Sequence, residues 1–266
     1  MIYLLNIFVF TLGLCIGSFL NVVIYRTESG ESIINGRSHC PYCGHILEWY
    51  DLIPLLSFIL LRGKCRYCRH KISWQYPLVE LLTGLIFFYI FFNFFALDIK
   101  SIVSTIFLFI ISSFLIVVSV SDIKYYAISD KILYPAILTG FFYFLYNVFF
   151  IFKSQSFFLY SILSILLVSL FFFSLCFFSR EKAMGFGDVE ISLFLGFALG
   201  FPNILVCFFL SFIIGGLIGI ILIMTKRKRL ASRVPFAPFL ASSAFITLFW
   251  GGKVIDIYFR FLQPFS

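Results

Sequence analysis

The chain has 266 residues, of which 62% are hydrophobic, 12% are charged and 40 are phenylalanine. Soluble domains carry roughly 25% charged residues, and no water-soluble fold of this size could hide so much apolar surface. The net charge of +8 comes from basic residues beside apolar runs, where they set orientation and meet anionic lipid; the lipid bilayer is the expected partner, and nucleic acid is not expected.

About 18 or more apolar residues are needed to cross a bilayer as a helix. Runs at 2–24, 77–96, 101–121, 131–152, 157–178, 188–201, 203–224 and 235–256 predict an all-α polytopic membrane protein with about eight transmembrane helices. The sixth run is short and ends at the turn signal Phe201-Pro202-Asn203. The first lacks a basic start and a small-residue cleavage site before Arg26, so residues 1–25 are expected to stay as a helix.

Sixteen of the 20 basic residues fall in alternate connections. These are Arg26, Arg37, Arg62, Lys64, Arg66, Arg69 and Lys71, then Lys124 and Lys131, then Arg180 and Lys182, then Lys226, Arg227, Lys228, Arg229 and Arg233. Cytoplasmic loops retain positive charge. Both termini are therefore expected outside, with residues 26–76 in the cytoplasm.

That long polar connection carries Cys40-Pro-Tyr-Cys43 and Cys65-Arg-Tyr-Cys68. Two CxxC knuckles present four thiolates, a donor set suited to tetrahedral structural zinc. The 21 residues between them lie just beyond the usual spacing of roughly 15–20. Redox chemistry or unliganded thiols are the alternatives, although a reducing cytoplasm disfavours disulfides. His39, His45 and His70 could each replace a thiol, but with four cysteines available they read as surface residues. Cys15, Cys176 and Cys207 stand singly in spans, as small packing residues do.

Carboxylates near hydrocarbon are costly and invite a functional reading. Asp122 ends the third span, and Asp188 begins the sixth after Gly185-Phe186-Gly187. The topology puts both at the cytoplasmic boundary, where two helices could bring them together. A close pair resists double ionisation, leaving one carboxyl as acid and the other as base: aspartyl protease chemistry. Gly185 and Gly187 would let backbone turn tightly and approach an extended substrate. Position alone leaves open that both aspartates only mark span ends wetted by headgroups. Glu80, just inside the second span, could bind substrate or merely snorkel.

Together these residues resemble the bacterial type IV prepilin peptidases. Gly17-Ser-Phe-Leu-Asn-Val-Val-Ile-Tyr-Arg26 looks like the opening motif of that family. Cys40 through Asp51-Leu-Ile-Pro54, Arg62-Gly-Lys-Cys65 and Tyr76-Pro-Leu-Val-Glu-Leu-Leu82 is similar to its cysteine-containing cytoplasmic domain. The resemblance makes Asp122 and Asp188 the catalytic pair of a GxGD aspartyl peptidase. It implies cleavage, at the cytoplasmic face of the inner membrane, of prepilins with a short basic leader, a Gly, usually a Phe, and then an apolar helix. It also implies methylation of the new amine by S-adenosylmethionine, with peptidase activity alone as the alternative. The expected organisation is a first helix at 1–25, a tetracysteine zinc domain with the methyltransferase part at 26–76, and the membrane peptidase at 77–266. Two positions depart from the family pattern. Glu190 stands where Lys is frequent, and Ser129-Asp130 replaces Pro-Asp, which makes Asp130 the reserve catalytic candidate. A transporter would place its acids nearer the midplane, often with an inverted repeat. A zinc scaffold without activity would leave both aspartates without a role.

Overall fold

The computed structural model describes residues 2–181, 184–225 and 234–262. Lys182 and the basic run Lys226, Arg227, Lys228, Arg229 and Arg233 lie outside the described residues. The chain divides into two compact units, Met1–Val117 and Val118–Ser266.

In the first unit, α1 (Ile2–Ser29) packs against α3 (Gln75–Phe94). Gly13 faces Gly84 and Phe87, and Gly17 faces Glu80 and Thr83, so the helices run antiparallel. Small residues four apart let the backbones approach, as in other membrane helix pairs. Asn21 continues the seam, its amide donating to the Tyr76 carbonyl at 3.1 Å. Beyond α1 the chain is wrapped around Arg26. Its buried guanidinium donates to the carbonyls of Ser32, Ile33, Asn35, Gly36 and Arg37, satisfying a loop that has no ladder of its own. The short helix α2 (Leu56–Leu60) lies within the same connection. The unit closes with the start of α4 (Ile99–Tyr125), where Phe109 stacks on Phe87.

The second unit takes the end of α4, then α5 (Asp130–Tyr146), which runs on into a π-helical turn at Asn147–Phe152. It continues with α6 (Gln155–Ser179), α7 (Phe186–Leu199), α8 (Asn203–Met224) and α9 (Ala237–Leu262). Outward faces are apolar; on α6, Leu159, Leu163, Leu166, Leu167 and Leu170 are exposed. Small polar residues such as Ser161, Ser164, Ser192, Ser211 and Ser243 are buried instead, the inside-out pattern of a protein dissolved in lipid.

Among the described residues, seven helices are long and apolar enough to cross a membrane. The expected sixth span is α7, whose 14 residues reach only about 21 Å. It nevertheless runs antiparallel to α6 for most of that helix. Ser192 bonds Ser169, Gly196 meets Ile165, and the Phe201 N–H donates to Ser161. Gly200, at φ +61°, packs on Phe157 and lets the chain turn there. α7 and its turn thus traverse the depth between Ser169 and Phe157. This is a multi-pass membrane protein.

The phenylalanines have a structural use. Phe172, Phe208, Phe212 and Phe236 form a cluster with ring centroids 5.0–6.0 Å apart, partly edge to face. Phe236 immediately precedes α9, so the cluster holds the start of that helix in place. Cys176 and Cys207 are buried as packing residues, whereas Cys15 is exposed on the outer face of α1; the expectation of packing does not hold there.

Candidate active site and metal centre

Asp122 sits one turn before the end of α4 and is buried. Its Oδ2 accepts a hydrogen bond from the Ala237 N–H at 3.0 Å. Ala237 is the first residue of α9, and a helix leaves its first four N–H groups without intrahelical partners. Asp122 therefore caps α9 from another helix, at the favourable positive end of its dipole. Sequence reasoning missed this partner because it is a backbone group; the one local signal is Pro238 in the first turn of α9.

Asp188 lies in the first turn of α7, with Gly185 as the residue before the helix. The charges of Asp122 and Asp188 act on one another, so the end of α4 and the start of α7 put the two carboxyls in range of a charge interaction. Gly185 has φ −80°, so it is not required for left-handed backbone. A Cβ at Gly185 or Gly187 would meet nothing within 4 Å; both glycines border open space next to Asp188. Asp130 is exposed at the start of α5 and interacts electrostatically with Glu190, so these two acids sense one another's charge. In the first unit, Glu80 does not snorkel. Its Oε2 accepts the Leu55 N–H at 2.9 Å and holds Leu55 at φ 59°, a positive-φ conformation that costs a bulky side chain energy.

The four cysteines converge. All four Sγ atoms lie within 4.8 Å of one another, and Cys40 and Cys68 are 3.9 Å apart. The two knuckles are one motif repeated 25 residues later. Cys40 N–H donates to His45 O as Cys65 N–H donates to His70 O, and Gly44 and Arg69 both turn with positive φ. Bridges join His39 to Ile46 and Lys64 to Lys71. Each knuckle's tyrosine stacks on the histidine of the other: Tyr42 on His70 at 3.3 Å and Tyr67 on His45 at 3.6 Å. His45 and His70 thus have a packing task beyond that of surface residues. Asp51 ties the second knuckle down, accepting from Arg66 Nε at 2.7 Å and Tyr67 OH at 3.0 Å.

Electrostatics prepare the cage unevenly. Burial raises the Cys40 thiol, but hydrogen bonds from the Cys43 and Tyr42 backbone, and from the Cys43 and Cys65 side chains, outweigh it and bring it to about 7. At Cys68 the His70 backbone hydrogen bond lowers the value, yet desolvation and the neighbouring thiols push it up to about 11. Burial would also raise the Asp51 carboxyl; the hydrogen bonds from Arg66, Tyr67 and the Glu48 N–H, with the guanidinium charge, hold it below its usual range. Such a cage can release protons stepwise and hold a metal ion.

Comparison with known proteins matches residues 11–94 to the bacterial peptidase A24 N-terminal domain and residues 109–220 to the type IV leader peptidase family. A protein of Xanthomonas campestris named prepilin leader peptidase/N-methyltransferase is 31% identical over 284 residues, covering 94% of this chain and 93% of that one. One of the same name from Bacillus subtilis is 31% identical over 251 residues, covering 94% and 96%. A third, from Myxococcus xanthus, is 55% identical over 85 residues, which are 32% of this chain and 25% of that protein. No solved structure matches the chain. With full-length relatives at this identity and both family segments in order, the chain belongs to the type IV leader peptidase family.

Proposed function

We propose that this protein cleaves the leader peptide from type IV prepilins or pseudopilins and methylates the new N-terminal amine. The observation that carries the reading is the charge interaction between Asp122 and Asp188 in a chain of this family. Two carboxyls within reach of one another share a proton more readily than they both ionise. The ionised member takes a proton from water, and the protonated member donates a hydrogen bond to the scissile carbonyl. The resulting hydroxide adds to that carbonyl carbon; collapse of the adduct re-forms the carbonyl and breaks the C–N bond, leaving the leader's last residue as a carboxylic acid and expelling the new amine, which takes up a proton. The Ala237 N–H orients Asp122 throughout, since it fixes one carboxylate oxygen. Open backbone at Gly185 and Gly187 suits close approach by an extended peptide.

Substrates would carry a short basic leader followed by an apolar helix that lies in the bilayer beside the enzyme. The basic connections of the chain support cleavage at the cytoplasmic face of the inner membrane, with both termini outside. Zinc fits the cysteine cage. Four sulfurs about 2.3 Å from a tetrahedral ion stand about 3.8 Å apart, close to the 3.9 Å between Cys40 and Cys68. Cys40, Cys43, Cys65 and Cys68 would hold it, and its chemistry there is structural, ordering a loop with almost no ladder of its own. The 26–76 segment would serve methyl transfer, with S-adenosylmethionine as donor, and 77–266 would serve cleavage. Purified protein incubated with a synthetic prepilin, with and without S-adenosylmethionine, tests this by mass spectrometry. The expected products are a free leader in both samples and an added methyl group only with the donor. An intact substrate in both would overturn the reading.

A further inference from the structure

Between the two knuckles lies an apolar surface that neither the cysteine cage nor the carboxylates use. α2 exposes Leu56, Ile59 and Leu60 at 58, 67 and 79%. These positions fall at i, i+3 and i+4, on one face of the helix. Ile53 before α2 and Trp74 after it are exposed as well. An uncovered face of this kind marks an interaction site.

Its depth is set by two contacts. The Leu55 N–H donates to Glu80 Oε2 at 2.9 Å. Glu80 is five residues into α3, about 7.5 Å from the start of that helix. The 20 residues of α3 give about 30 Å, the thickness of the hydrocarbon core with nothing to spare. Glu80 therefore lies about 7.5 Å inside the hydrocarbon edge, and Leu55, bonded to it, is held within the roughly 5–10 Å depth at which in-plane helices seat rather than out in water. The second contact is the Phe58 ring against Trp74, with centroids 5.1 Å apart. Trp74 immediately precedes α3, and tryptophan favours the headgroup level. On α3 itself, Leu78, Leu81, Leu82 and Leu85 are exposed, so the helix that carries Glu80 offers an apolar surface to lipid over the same turns. Arg62 and Lys64, both exposed at the end of the segment, can extend to lipid phosphates.

We propose that residues 55–61 are an in-plane membrane anchor, seating the tetracysteine segment on the bilayer at the boundary between acyl chains and headgroups. The occupant of the apolar face is lipid, because the hydrogen bond to Glu80 holds that face at lipid depth. This holds whether or not the chain cleaves prepilins, and its test needs no activity.

The test uses the full chain with Trp49 and Trp250 replaced by phenylalanine, Trp74 kept, and one new tryptophan introduced as Leu60→Trp; the protein with Trp74 alone supplies the background to subtract. A second protein carries Ile34→Trp, at a loop position 92% exposed. Each is reconstituted in vesicles of three parts phosphatidylcholine to one part phosphatidylglycerol, with the phosphatidylcholine plain or brominated near the headgroup end of its chains. A residue seated about 5–10 Å into this boundary lies beside the bromines, so Leu60→Trp should lose several times more of its emission to the brominated lipid than Ile34→Trp does. Ile59→Trp replaces Leu60→Trp if that variant fails to insert. An unquenched signal at positions 59 and 60 would overturn the proposal. Water-like emission would then show a face free in solution, and blue-shifted emission a face covered by protein. Equal quenching at Ile34 and Leu60 would also overturn it, because no anchored segment would be distinguished.

Discussion

Replacing Gly17 by alanine puts a methyl group 2.7 Å from Glu80 Cα and 3.0 Å from the Val79 carbonyl oxygen. Ordinary contact begins at 3.4 Å, so α1 and α3 must part by 0.7 Å at that point. Both obstructing atoms are backbone and cannot rotate aside. Gly216→Ala in α8 is the control, since its methyl would meet nothing within 4 Å while gaining the same helix propensity. Overpacking of this kind costs about 1–3 kcal/mol, and Gly17→Ala should be less stable than Gly216→Ala by that amount. The damage should also spread to the loop, because moving Glu80 by 0.7 Å stretches its 2.9 Å bond to Leu55 to as much as 3.6 Å, beyond hydrogen-bond reach. Equilibrium unfolding in mixed micelles measures the first effect. Limited proteolysis between Trp49 and Leu61 measures the second. Equal stability of the two variants would refute the close α1–α3 contact.

Cys40→Ser with Cys65→Ser should abolish bound zinc by elemental analysis, sharply reduce methyl transfer and leave cleavage at least partly intact; normal metal content would refute the ligand set, and full methylation without zinc would refute a role for the loop in that step. Asp51 has a folded value below its unfolded one, so its stabilisation is full above about pH 4 and is lost as pH falls through the folded value. Thermal melts of metal-loaded Asp51→Asn should therefore differ most from the unsubstituted protein near neutral pH and converge in acid, and a gap that widens in acid would contradict the sign. An impermeant thiol reagent should label a cysteine placed at Ser154 and spare one at Ser38 in intact cells, in a background without competing thiols; the reverse pattern would invert the proposed orientation.

The apolar runs made the helices legible, because twenty uncharged residues leave few alternatives to a span. α7 was the hard case. Its run is too short by length alone, and only its pairing along α6 shows what depth it covers. The cysteine cage was readable from two CxxC knuckles, and so in principle was the repeat, since Cys-Pro-Tyr-Cys-Gly-His and Cys-Arg-Tyr-Cys-Arg-His stand 25 residues apart. The crossed tyrosine–histidine stacks were not, because they pair residues 28 and 22 apart through a fold no local pattern encodes. Asp122 and Asp188 stood out because carboxylates are rare beside hydrocarbon. Their surroundings did not, since the Ala237 N–H and the Leu55 N–H that occupy Asp122 and Glu80 belong to backbone that any sequence would offer.

Cleavage of a synthetic prepilin by Asp122→Asn and Asp188→Asn tests the central claim most directly. Asparagine keeps nearly the same shape but can neither share a proton nor act as the base. Asp130→Asn, made in parallel, keeps both members of the Asp122–Asp188 pair. Mass spectrometry of the reaction, with folding verified by helicity and membrane insertion, should show no leader released by either of the first two variants and substantial release by the third. Near-normal release by well-folded Asp122→Asn or Asp188→Asn would contradict the account, and loss in Asp130→Asn alone would move the chemistry to the other pair of acids.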